Sequence, residues 1–194
     1  MTLESIVVKI RNELIRSISG IDAWFDKETQ LLGHRSTKQS KCARELLEDV
    51  MHTNRHLLRL IDSARMNTST ANLVYIAVED YCLQTQILHD AASHEKFVSG
   101  EIRSIDRKPT LSEIRNEIRD QLDRCLIHLE LLLAGEAPIF KTKLAIGDLR
   151  EMDVYHTIYF LAVHTRRYLG ELDEILLDFN QTSEKRLTFK ASAV

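Results

Sequence analysis

Directly after Pro109, the run Thr110-Leu-Ser-Glu113 opens a stretch in which Leu111, Ile114, Ile118, Leu122, Cys125, Leu129 and Leu132 recur at steps of three and four. That spacing is the period of an α-helix with one buried stripe, whereas a strand would alternate every second residue. The Thr hydroxyl and the Glu carboxylate form a capping box that satisfies orphan backbone N–H groups at the helix start. A chain made of such segments buries its stripes only by packing helix on helix.

The same period returns along the chain. Leu3, Val7, Ile10, Leu14, Ile18, Ile21 and Phe25 predict a helix over about residues 3–32, which Gly20 can bend and Gly33 can end as a left-handed cap. A second helix over about 38–65 turns Leu46, Val50, Leu57 and Ile61 inward, and a third over about 70–95 turns Val74, Ala77, Tyr81 and Leu88 inward. A fifth opens near Asp148, with Glu151 three residues on, and runs to about Phe179. Only six glycines and two prolines interrupt 194 residues, so the expected fold is all-α. Helices of about 25 residues span about 37 Å, the length of a four-helix bundle with an extra or split segment. One domain over residues 1–180 is expected, followed by a flexible tail over 181–194, where periodicity is lost. Glu95–Lys108 and Gly135–Gly147 are the long connections.

A net charge of −3 argues against a nucleic-acid footprint. No segment approaches the uncharged apolar length of a membrane span, and Glu4, Lys9, Arg11 and Glu13 interrupt any signal-peptide core. Cys42, Cys82 and Cys125 lie far apart without a CxxC pair, which fits buried thiols in a reducing cytoplasm.

Chemistry is expected where polar residues flank an apolar stripe. On the second helix Glu45, Glu48, His52, Arg55 and Arg59 share a charged face, while Asp49, Thr53 and His56 lie beside the stripe. A carboxylate there is costly unless paired or coordinated. On the fifth helix Thr157, Phe160, His164, Tyr168, Glu171 and Ile175 follow one line next to the core. If the two helices are neighbours, Asp49, His164, Tyr168 and Glu171 converge. The outcome is then an N/O site for Zn or Ni, or a buried hydrogen-bond network without metal. Tyr155, His156 and Tyr159 are expected to pack or cap near the helix start, His89 and His94 to close the third helix, and Arg166 and Arg167 to be solvated.

These residues carry a resemblance. Tyr155-His-Thr-Ile-Tyr-Phe-Leu-Ala-Val-His164-Thr-Arg-Arg-Tyr168-Leu-Gly-Glu171 resembles the last helix of DinB-like (YfiT-like) bundle proteins, where an apolar run leads into H-x-x-x-H and often a Gln. Glu45-Leu-Leu-Glu48-Asp49-Val50 resembles that family's E-x-x-E-H-[IV] segment, and the likeness covers about residues 10–178. It implies a four-helix bundle with long crossover connections, commonly a homodimer, with a three-His site for a divalent metal. Some members are thiol-dependent transferases or isomerases. Carried over by position, the three ligands fall on Asp49, His164 and Tyr168, and the Gln on Glu171; His56 or His52 can compensate if the second helix is rotated. Two functions follow as expectations. One is a divalent-metal-dependent thiol transferase or hydrolase with an altered site and a low-molecular-weight thiol. The other is a non-catalytic small-ligand-binding or dimeric interaction protein that has lost the metal.

Overall fold

The computed structural model describes residues 3–36, 39–67, 107–134, 141–142 and 152–191. Nearly all of this is helix, as the periodicity requires: α1 (Leu3–Asp22), a 3-10 turn (Ala23–Asp26), α2 (Thr29–Leu32), α3 (Ala43–Asn67), α4 (Leu111–Leu133) and α5 (Val154–Ala191). The segment expected as the third helix, with Cys82, His89 and His94, lies outside the described residues.

The first expected helix is divided. Lys27 and Glu28 take extended backbone between the 3-10 turn and α2, and Gly33 closes α2 with a right-handed φ of −90°, not as a left-handed cap. Gly20 lets α5 approach α1, since a Cβ there would lie 2.6 Å from Leu169 Cδ1.

The fourth expected helix starts where its signal put it. Thr110 accepts from the Glu113 N–H, and Glu113 reaches back to the Thr110 N–H. The last helix begins at Val154 rather than near Asp148, because Met152–Asp153 pairs antiparallel with Lys141–Thr142 in a two-residue ladder. It is Asp153 whose carboxylate then accepts the His156 N–H, 2.9 Å away. The same helix continues past Phe179 to Ala191. Residues 180–191 contain neither Gly nor Pro, so the backbone stays helical after the apolar stripe ends.

Side-chain pairs fix how the helices lie. α1 and α3 each pack against both α4 and α5. Arg115 and Arg119, near the start of α4, hold Asp22 at the end of α1, so these two helices run in opposite directions. Arg44 bonds the Pro109 carbonyl and Arg55 bonds Glu117, so α3 and α4 run together. Asn54 meets Thr165 while Asp49 lies near Tyr168, so α5 opposes α3. The core at the centre is apolar (Ile10, Leu14, Leu47, Leu57, Ile118 and Phe160 among others), and all four inward residues expected of α3 are buried in it. No helix among the described residues is long and apolar enough to cross a membrane.

Candidate functional site

Polar side chains interrupt the core along the α3–α5 seam. The antiparallel arrangement sets Asp49, Thr53 and Asn54 of α3 against His164, Thr165 and Tyr168 of α5. Each lies within a turn of the next, because residues three and four apart share one helix face.

His164 is 1% exposed and sits between two rings. Phe160 lies 5.5 Å away and Tyr168 5.1 Å away, both tilted to it. Burial, with the Arg167 charge second, pulls its imidazole down to about 4. The ring is therefore neutral at physiological pH. Burial, then the Asp49 and Glu171 charges, push the Tyr168 phenol up to about 12, with a hydrogen bond from Thr53 and the Arg167 charge offsetting part of the shift. Tyr168 thus keeps its proton.

Asp49 lies at the mouth of the seam, its side chain 31% exposed and bridged by the Lys41 ammonium. Glu171 is held by Arg167 one turn earlier, at 3.0 Å. Asp49, Tyr168 and Glu171 therefore share one electrostatic neighbourhood, with the His164 ring tilted against the phenol. His52 belongs to another face. It is half-buried on α3 beside the Arg55–Glu117 pair, and desolvation, then Arg55, lowers its pKa. His56, one turn on, is also half-buried.

Among the described residues, no group of three or more His, Cys, Asp or Glu side chains lies close enough to hold a metal ion. As placed, the donors suit hydrogen bonding better than a divalent cation. Asp49 already faces an ammonium, and Tyr168 would have to lose a proton it holds strongly. His164 remains the one ready ligand of the three positions.

Sequence reasoning missed Asn54. It is 1% exposed, its Oδ1 accepts from Thr165 Oγ1 at 3.4 Å, and its Nδ2 has no hydrogen-bond partner among the described residues. The signal was available. Asn54 stands four residues after Val50 and seven before Ile61, an amide at a stripe position. Gln121 of α4 is similar: its Nε2 donates to the Met51 carbonyl at 2.9 Å, inside the core.

A second polar pair marks the start of α5. His156, fully buried, lies with Nδ1 2.7 Å from Asp153 Oδ2, and Thr157 Oγ1 donates to the Asp153 carbonyl at 2.9 Å. The expectation that His156 packs or caps near the helix start agrees with this geometry. Asp153 ties the ladder to the helix through both the backbone and the imidazole.

Comparison of the chain with family models, with curated proteins and with solved structures gives no match.

Proposed function

We propose that this chain is a DinB-like bundle protein that acts without catalysis, holding a small ligand in the α3–α5 seam. The observation that carries this reading is the Nδ2 donor of Asn54, buried beside Thr165 without a partner among the described residues. A buried donor left unmatched costs on the order of 1–3 kcal/mol. A cation cannot satisfy an N–H. A carbonyl or carboxylate oxygen can, so the ligand class is a small molecule with an acceptor head and an apolar body for the Phe160, His164 and Tyr168 rings.

The test is Asn54→Leu. A donor reserved for a ligand penalises the empty protein, so the leucine protein should unfold at higher urea than the parent. The Thr165 hydroxyl can turn to a carbonyl of its own helix. A lower midpoint would mean that Asn54 is a satisfied structural amide, and would remove the basis for the ligand.

One observation favours a second reading, the metal-dependent thiol transferase or hydrolase. His164 is held neutral, the state a metal ligand needs. In that reading Asp49 and His164, with Tyr168 or Glu171, would hold a divalent ion, which would supply the activation of a thiol or water. The homodimer belongs to the same family-based proposal. Val8 and Ile15, exposed seven residues apart on α1, are apolar side chains that a second copy can cover. Light scattering on the purified protein decides between one chain and two.

A further inference from the structure

The connection between α2 and α3 carries its polar side chains onto both walls of the seam. On the α5 side, His34 Nε2 lies 2.7 Å from Asp178 Oδ2, and Gln39 Nε2 donates to Glu174 Oε2 at 2.8 Å. The His34 ring also meets the Phe179 ring edge-on at 5.3 Å. On the α3 side, Arg35 donates to Glu45 at 2.7 Å, and Lys41 bridges Asp49. Arg35 also gathers the connection on itself by donating to the Ser40 carbonyl at 2.7 Å.

The pattern is one-signed. Each of these four polar contacts out of the connection gives a hydrogen bond or a positive charge to a carboxylate. Glu45 and Asp49 are one turn apart on α3; Glu174 and Asp178 are one turn apart on α5. The two pairs of anchors stand on opposite sides of the groove, and Asp49, at the seam mouth, is one of them. Among the described residues of the connection only Ser36 and Cys42 are buried.

We propose that residues 33–36 and 39–42 form a strap across the mouth of the α3–α5 seam, held shut by these four carboxylates and able to open without unfolding the helices. The inference rests on the reading of the seam as a ligand site, for which the strap is the door. Polar clips with little buried apolar area belong to the low-stability end of a fold, where local opening occurs. Of the four clips, Arg35–Glu45 and Lys41–Asp49 are exposed ion pairs, which weaken in salt, since the screening length falls to about 3 Å at 1 M.

Cys42 is a native reporter. Only 8% exposed, it sits where the strap joins α3, its N–H donating to Glu45 at 3.0 Å. Cys125 lies fully buried in α4 and reports global opening instead. In a Cys82→Ala background, the labelling of both thiols by an aromatic disulfide reagent is followed at neutral pH. The reagent's disulfide exchanges with the thiolate, forming a mixed disulfide and releasing one aromatic thiolate.

The proposal expects Glu174→Ala/Asp178→Ala to raise the Cys42 rate at least tenfold with Cys125 unchanged. It also expects 1 M NaCl to accelerate Cys42 in the unsubstituted strap and to have little effect in the double variant. A Cys42 rate within twofold of the parent, or one that rises only in step with Cys125, overturns it. So does a parent rate that ignores salt, an arm that holds even if the double variant folds poorly. The outcome is separate from the Asn54→Leu result: a strap that opens over a seam with no ligand fails the functional reading alone.

Discussion

At the scale of single residues, His164 sets the clearest titration. Its folded pKa near 4 lies below the 6.5 of an unperturbed imidazole. The native state therefore binds fewer protons than the unfolded state below pH 6.5. Stability from this group is complete above pH 6.5, declines as pH falls, and is gone below about 4, a loss on the order of 3 kcal/mol. His164→Gln should flatten that part of the pH–stability curve, measured by urea unfolding at each pH. An unchanged slope would mean that the ring is not held neutral by burial. Asp22 works further down the scale. Hydrogen bonds from Arg115 and then Arg119 keep its carboxyl well below the usual carboxylate range. Its contribution is present above about pH 4 and disappears as pH falls through its lowered folded pKa. Asp22→Asn should lower stability at pH 7 and remove that acid limb; a variant as stable as the parent at both ends would contradict the network.

Helices bring their own predictions. Thr110→Ala removes one half of the capping box at α4 and should cost about 1 kcal/mol in urea unfolding; no measurable loss would mean that the cap is redundant. Gly20 marks the close crossing of α1 and α5. Gly20→Ala should destabilise the parent by pressing on Leu169, yet stabilise a Leu169→Ala protein by up to about 1 kcal/mol through helix propensity. The same sign in both backgrounds would refute the close approach. The stripes on α1, α3 and α4 were legible in the sequence because burial selects residues by period, and the Thr110 cap because its hydrogen bonds are local. The break at Lys27–Glu28 was not, since neither residue excludes helix and no Gly or Pro stands there. Nor was the late start of α5, which depends on Lys141–Thr142 pairing with Met152–Asp153, a contact between parts of the chain that periodicity does not relate. The end of α5 was missed for the opposite reason: the backbone continues where the stripe stops.

The whole molecule depends on which polar groups the packing brings together. Asp49, His164, Tyr168 and Glu171 were identifiable as flanking a stripe, and α3 does pack on α5. Sequence could not show that Lys41 folds back onto Asp49, which depends on the path of the strap into α3, or that Thr53 meets Tyr168, which depends on how α3 and α5 are set against each other. Those two contacts set an ammonium at the seam mouth and a hydroxyl against the phenol. The most direct test is elemental analysis of the untagged protein after dialysis against Zn and Ni, with His164→Ala beside it. The same low metal content is expected in both, well under one ion per chain. Near-stoichiometric metal in the parent that vanishes in His164→Ala would contradict it and establish the seam as a metal centre.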